Sequence, residues 1–321
     1  MIKMDSQTIV YEQRASYILF NIFKELGKGE VLMPANICPI VPATIIKAGA
    51  TPEFIDIDLK HLTMEQDQLL ETLQKDPQKY TGVIWVRTYG NNQENIVPLI
   101  EKVKSINKNL FFVDDQCLSV PSFEKPTTKA DLTLYSTGYS KIAELDWGGY
   151  GILNGKVDYN RVLIDFDETK HDELQNIFRE AINHSTKINV PKTDWLNGQK
   201  PAVSFEEYRE MLMLKTEAAL SHKKIINEIY DELLPNEIKL ADSFQNWRFN
   251  IKVQQPARIL AALFEQDLFA SNHYAPVANL FSDTEAPNAS KFHSQVVNLF
   301  NDFRYSPDMA EKTAKIILKN L

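Results

Sequence analysis

No block of five or more lysines or arginines occurs in this chain of 321 residues, and its net charge is −8. Both facts argue against nucleic acid or an anionic membrane as the main partner, because such surfaces are recognised through concentrated positive charge. One bound phosphate stays compatible, since a few amide donors can hold it. No apolar run reaches 18 residues, so no membrane-spanning helix is expected, and Met1 to Val10 lacks the apolar centre of a signal peptide. A cytoplasmic protein is the expectation. Cysteine is scarce: Cys38 and Cys117 have no metal-ligand spacing and are expected to be reduced and buried. The six histidines form no HxxxH or HxH cluster, and no metal site is expected. Internal repeats and low-complexity segments are also missing. What is present is an ordinary globular composition, 44% hydrophobic and 24% charged, long enough for one large domain or two.

Ala15 to Leu26 carries Tyr17, Ile18, Leu19, Ile22, Phe23 and Leu26 at helical spacing and stops at Gly27-Lys28-Gly29. Short apolar runs follow at Val31 to Met33, Glu53 to Ile57, Gly82 to Val86, Leu110 to Val113, Leu132 to Tyr135 and Tyr150 to Leu153, and read as strands. Helical stretches at Ile40 to Lys47, Gln66 to Gln74 and Val97 to Ile106 lie between them. This alternation predicts an α/β fold with a largely parallel central sheet. After Leu153 it fails. Val157 to Asn197 is polar and reads as a loop or linker, Phe205 to Leu234 as a long amphipathic helix, and Trp247 to Val253 as a strand. Helices at Pro256 to Gln266 and Met309 to Leu318 complete the chain. The expectation is a large α/β domain over 1–200 and a smaller C-terminal α+β domain over 201–321.

The polar residues gather where strands end: Ala35-Asn36, Arg87 to Asn91, Asp114-Asp115-Gln116 and Ser136 to Lys141. Ligands of open α/β sheets bind outside the carboxyl ends of the strands, so these loops should converge. The central stretch is Asp131 to Lys141, a buried strand running into a Ser/Thr/Gly loop that presents one lysine and is closed by Asp146-Trp147-Gly148-Gly149. Taken alone, a loop lysine is a solvated side chain. With the acidic pair Asp114-Asp115 at the end of another strand, it becomes an amine facing a carboxylate, which a Schiff-base cofactor site requires.

Five fragments in chain order carry a resemblance. They are Val31 to Pro34 followed by Ala43 to Asp58, with Gly49-Ala50-Thr51-Pro52 and Asp56-Ile57-Asp58; Val86 to Asn91 with Tyr89-Gly90; Val113-Asp114-Asp115; Ser136 with Lys141 and Gly148-Gly149; and His273-Tyr274-x-Pro276. Together they resemble the sugar-aminotransferase family of the fold-type-I pyridoxal-phosphate enzymes, the DegT/DnrJ/StrS group. The resemblance implies the pyridoxal-phosphate-transferase fold with pyridoxal 5′-phosphate as cofactor. Lys141 would form the internal aldimine and carry protons to and from the substrate carbon. Asp115 would pair with the pyridinium nitrogen, with Asp114 as the structural alternative. Ser136 would hold the phosphate or else satisfy its own turn. Tyr89, His273 and Tyr274 would lie at the substrate wall or serve as loop and turn packing.

Departures from the family pattern accompany these matches. Glu12 to Ser16 replaces its Ser-Gly-Thr, so that Arg14 either grips the phosphate by a charge-assisted contact or is a surface arginine. Cys38 ends the short stretch in which the ring-stacking aromatic is replaced, and Leu118 takes the position of a glutamine or histidine near the ring. Trp147 stands where the family has glutamate, as a packing residue or a cofactor contact. The implied function is transfer of an amino group to a nucleotide-linked keto sugar, with glutamate as donor, for polysaccharides or secondary metabolites, in a homodimer. A sugar dehydratase of the family would carry histidine in place of Lys141. The other alternative is a non-catalytic relative that binds a sugar nucleotide or a partner protein.

Overall fold

The structure is a computed structural model and describes residues 2–4, 7–91, 93–155 and 159–321. Met1, Asp5, Ser6, Asn92 and Lys156 to Asp158 lie outside the described residues, and with them part of the N-terminal segment and the start of the polar stretch at Val157. In chain order the first elements are β1 (Ile2–Met4), β2 (Gln7–Glu12), α1 (Ala15–Leu26), β3 (Glu30–Pro34), α2 (Ile40–Ala48) and β4 (Thr51–Ile55). Then come α3 (Gln66–Lys75), β5 (Tyr80–Val86), α4 (Val97–Ile106), β6 (Phe111–Asp115), β7 (Leu132–Ser136) and β8 (Gly149–Leu153). These strands make one sheet of eight in the order β1-β2-β8-β7-β6-β5-β3-β4. Neighbours from β4 to β7 pair in parallel, while β8 runs antiparallel to β7 and to β2. Parallel pairs need long crossovers, and α2, α3 and α4 supply them.

Because the sheet is covered on both sides, its strands are continuous apolar runs whose alternate residues feed two cores. Val31, Met33, Phe111 and Val113 meet α1 and α2 on one face. Leu32, Val83, Trp85 and Phe112 meet α3 and α4 on the other. This alternation sends the two aspartates that end β6 to opposite sides.

The remaining elements are α5 (Glu168–His184), α6 (Phe205–Leu233), β9 (Phe249–Lys252), α7 (Pro256–Phe264), β10 (Ala270–Ser271), α8 (Ala278–Phe281), α9 (Pro287–His293), β11 (Val296–Leu299) and α10 (Pro307–Asn320). β10, β11 and β9 form a second, antiparallel sheet. It shares a core with the later turns of α6, with α7 and with α10, through Ile226, Tyr230, Ile251, Leu263, Leu299 and Ile317. The first turns of α6 instead place Phe205, Tyr208 and Leu212 against Tyr135 and Tyr150 of the large sheet. Trp247 and Phe292 likewise join the large-sheet core.

Two local expectations need correction. The polar stretch from Val157 to Asn197, read as a loop, contains the 17-residue α5. Its buried face is only Leu174, Phe178 and Ala181, a stripe too thin to stand out from its charged neighbours. β4 ends at Ile55 rather than Ile57 because Asp56 turns away to accept the Asn288 and Ala289 amides, at 2.8 and 3.0 Å, in the first turn of α9.

Candidate active site

The register of the parallel strands brings the polar strand ends to one edge of the sheet, with Val86 opposite Asp115 and Asp115 opposite Leu134. Asp114 and Asp115 then separate by the pleat. Asp114, fully buried on the α3/α4 face, accepts Arg87 Nε at 2.7 Å, Arg87 Nη2 at 3.3 Å and Gln116 Nε2 at 2.8 Å. Its lone pairs are taken by a buried, bidentate ion pair. Asp115 faces the α1/α2 side, where the Cys117 amide donates to Oδ1 at 2.9 Å. Burial pushes the Asp115 carboxyl up, against hydrogen bonds from Cys117 and the positive charge of Lys141. A buried carboxylate held up in this way is stabilised by a cationic partner.

Lys141 is half-buried in the loop after β7 and belongs to no ion pair among the described residues. The loop is closed beneath it. Thr137 Oγ1 donates to the Trp147 carbonyl at 2.7 Å, and the Leu145 amide donates to the Thr137 carbonyl at 2.8 Å. Desolvation raises the half-buried Cys38 thiol, and the nearby Lys141 charge opposes that rise, so Cys38 lies on the same side as Lys141 and Asp115. Tyr274 completes this group. Burial raises its hydroxyl well above the ordinary value, and the charges of Cys38, Tyr89 and Asp115 add to the rise. His273 is exposed to solvent. Desolvation there lowers its imidazole, followed by the positive charges of Arg248, His293 and Lys141.

Arg14 and Ser136 meet at Gly138. A β-carbon built on Gly138 would sit 3.2 Å from Arg14 Nη1 and 3.7 Å from Ser136 Oγ, so the absent side chain leaves a cradle between a guanidinium and a hydroxyl. Arg14 also donates to the Asp146 carbonyl at 2.6 Å, and burial lowers its pKa despite the carboxylates of Asp146 and Glu168. It is the residue before α1, whose N-terminus lies close to β8: a β-carbon on Gly149 would be 2.4 Å from the Ala15 nitrogen. A helix N-terminus, a cation and a hydroxyl together make a phosphate-sized anion site. With Asp115 Oδ2 in no hydrogen bond among the described residues, and Lys141 near enough for its charge to act on that carboxyl, the residues present fit a phosphorylated pyridine aldehyde.

Tyr89 is fully enclosed, and its hydroxyl donates to the His273 carbonyl. It therefore supports the segment that carries His273 and Tyr274. Trp147 packs on Tyr11 and Tyr208, with ring centres 6.3 and 5.6 Å apart. The residue that joins this group together is Trp247, which stacks on Tyr89 at 6.0 Å and 6° and on Tyr274 at 5.9 Å and 18°. No motif in the sequence marks Glu144 within the lysine loop, nor Trp247, Arg248 and Arg304 around it. The last three lie far along the chain, and only the alternation from Trp247 to Val253 hinted that Trp247 is buried.

Lys223 of α6 is a further buried amine, donating to the Trp247 carbonyl at 2.8 Å and Asn301 Oδ1 at 2.6 Å. Burial, and then the Arg248 charge, push its pKa down to about 7, with Asp302 opposing. An unfolded lysine titrates near 10.4, so between pH 7 and 10 the unfolded chain binds the extra proton and stability rises with pH. Urea unfolding should give a wild-type stability about 2 kcal/mol higher at pH 9 than at pH 7 from this group. Lys223→Met should remove that increment; an equal pH slope in both proteins would refute the assignment.

No family model matches the chain, and no curated protein matches it in sequence. Solved structures do match. Spr1654 of Streptococcus pneumoniae, described as a sugar aminotransferase and solved in its PMP form, superposes with a TM-score of 0.70 at 18% identity, covering 98% of this chain and 88% of that one. A DegT DnrJ EryC1 StrS aminotransferase from Brucella abortus gives 0.68 at 14% identity, over 97% of this chain and 85% of its own. DesI, solved in the presence of its TDP-sugar product, gives 0.68 at 16% identity, over 96% and 79%. At such identities the likeness is one of architecture, and it is complete enough to state that this chain has the fold of the pyridoxal-phosphate-dependent sugar aminotransferases.

Proposed function

We propose that the chain is a pyridoxal-phosphate-dependent aminotransferase of the DegT/DnrJ/StrS type, acting in the cytoplasm on a nucleotide-linked keto sugar with glutamate as amino donor. The observation that carries this reading is the joint placement of Lys141, Asp115 and the Arg14–Ser136 cradle at one edge of the sheet. The cofactor, when bound, supplies an electron sink for breaking the bond to hydrogen at the amino-bearing carbon. Lys141 Nζ would hold the cofactor and would take and return the proton at the substrate carbon. Asp115 would keep the pyridine nitrogen protonated, Arg14 and Ser136 would bind the phosphate, and Cys38, near enough to Lys141 and Asp115 to feel their charges, would adjoin the cofactor. His273 and Tyr274 would contact the sugar. The TDP-sugar beside DesI supports a nucleotide sugar as the substrate class.

The test is a half-reaction. Protein saturated with pyridoxal phosphate is mixed with glutamate, and the cofactor spectrum should move from the aldehyde to the amine form, with 2-oxoglutarate released. A nucleotide-linked keto sugar should then restore the first spectrum. If the protein takes up no cofactor at saturating concentration, the aminotransferase reading fails and a sugar-nucleotide-binding relative replaces it.

We further infer a division near residue 200, with the cofactor held by 1–200, and a homodimer. Helical spacing puts Met211, Leu214 and Ile225 on one stripe of α6 turned away from its buried residues, with Leu214 71% exposed. A stripe of this kind on a long helix suits a second copy of the chain. Leu214→Glu should weaken self-association at least about tenfold by sedimentation, since an uncompensated charge at an apolar contact costs more than 1.4 kcal/mol. An unaltered sedimentation profile would remove α6 from the interface.

A further inference from the structure

Ser140, immediately before Lys141, has each of its polar atoms held by a different residue. Its amide donates to Glu144 Oε2 at 2.8 Å, its carbonyl accepts from Trp247 Nε1 at 2.7 Å, and its hydroxyl accepts from Arg248 Nη2 at 2.7 Å. Its φ is 60°, a left-handed conformation that costs serine about 1 kcal/mol and persists only where the surroundings impose it. Two of the three holds come from the segment that enters β9, more than a hundred residues away.

The holding groups are themselves fixed. Arg248 is buried, donates to Asp302 Oδ2 at 2.5 Å and lies 3.6 Å from the centre of the Phe300 ring. Arg304 donates to Asp302 Oδ2 at 3.1 Å and to Glu144, which closes a ring of charges from Arg248 back to Ser140. Arg248 Nε, however, has no partner among the described residues. A buried guanidinium with an idle N–H is poor value as a stabilising element, because desolvation of its charge offsets most of the pairing energy. Its geometric effect is better defined, since a planar fork joining an aspartate to Ser140 fixes direction as well as distance.

We propose that Arg248 is a positioning residue for Lys141, acting through Ser140. By holding the Ser140 hydroxyl while Trp247 holds its carbonyl, it sets the backbone from which the lysine side chain leaves and keeps the amine turned toward Asp115. An unclamped Ser140 relaxes to the commoner right-handed or extended backbone, and the Lys141 side chain swings toward solvent. The inference rests on the reading of Lys141 as the cofactor lysine, but the orientation of the amine can be measured without cofactor.

The experiment uses the full chain as wild type, Ser140→Ala, Arg248→Met, Arg248→Lys and the Ser140→Ala/Arg248→Met double variant. Acetic anhydride labelling of the cofactor-free protein, read by mass spectrometry, compares Lys141 with Lys104 as an internal reference. Titration with pyridoxal phosphate follows by absorbance. Each single removal should speed Lys141 labelling severalfold to about tenfold and weaken cofactor binding to a similar extent, while Lys104 stays constant. Arg248→Lys should recover part of the loss. The double variant should be no worse than the worse single one, because both substitutions remove the same link. Unchanged Lys141 labelling in folded Ser140→Ala overturns the proposal, even if Arg248→Met fails to fold; so do effects that simply add. If the wild type takes up no pyridoxal phosphate, the functional reading fails, and the labelling arm alone still decides whether the clamp exists.

Discussion

Lys141→Ala should leave a folded protein that has lost its chemistry. With pyridoxal phosphate added, the wild type should absorb near the visible edge, and borohydride should fix the cofactor onto Lys141. The variant should show neither. Turnover should fall by at least about 10⁴-fold, because one side chain supplies both covalent attachment and proton transfer, and proton transfer alone is worth about 10²–10⁴. Stability should change little, since the half-buried amine takes part in no ion pair among the described residues. Urea unfolding of both proteins separates the two effects. If the variant keeps both the absorbance and the turnover, another lysine carries the cofactor.

Asparagine at each of the paired aspartates should give opposite phenotypes. Asp114→Asn leaves the Arg87 guanidinium, 1% exposed, without its counter-charge. Removing one partner of a buried pair costs about 3–5 kcal/mol, so unfolding should move to clearly lower urea. Asp115→Asn removes a carboxylate whose burial already works against it, so stability should hold or rise slightly. Turnover should fall by about 10²–10³-fold, the usual effect of losing one fixed electrostatic partner of a developing charge, and the bound cofactor's spectrum should titrate at lower pH. If Asp114→Asn proves the catalytic lesion and Asp115→Asn the unstable protein, the roles are reversed.

The reason these two neighbours differ could be read partly in advance. The strand that ends in Val113-Asp114-Asp115 was legible, and a strand of period two must send consecutive side chains to opposite faces. Which face carried the lysine was not legible, because that depends on where α1, α2 and the β7 loop lie relative to β6. The same limit applies to Arg14. Its place before the first helix was evident, but its meeting with Ser136 depends on Gly138 leaving space and on α1 approaching β8 at Gly149. α5 was missed for a different reason. Three buried residues in seventeen do not make a periodic signal strong enough to separate a thin amphipathic helix from a polar loop.

Local chemistry along the chain accounts for the order of strands and helices, for the parallel sheet and for the gathering of polar residues at strand ends. These follow from residue periodicity and short-range sterics, which act within a few positions and leave a direct trace in the string of residues. It also accounts for the choice of Lys141, since that loop offers no other amine. The surroundings of Lys141 have a different origin. Trp247 and Arg248 reach the neighbouring Ser140, and Arg304 reaches Glu144, from positions about a hundred residues or more away; Asp302 links the two arginines, and each is unremarkable among its own neighbours. Hydrogen bonds and ring stacking form between whatever the packed chain brings within about 3 to 6 Å, and separation along the sequence does not limit them. The lysine was therefore visible before folding, and the residues packed around its loop became visible only after.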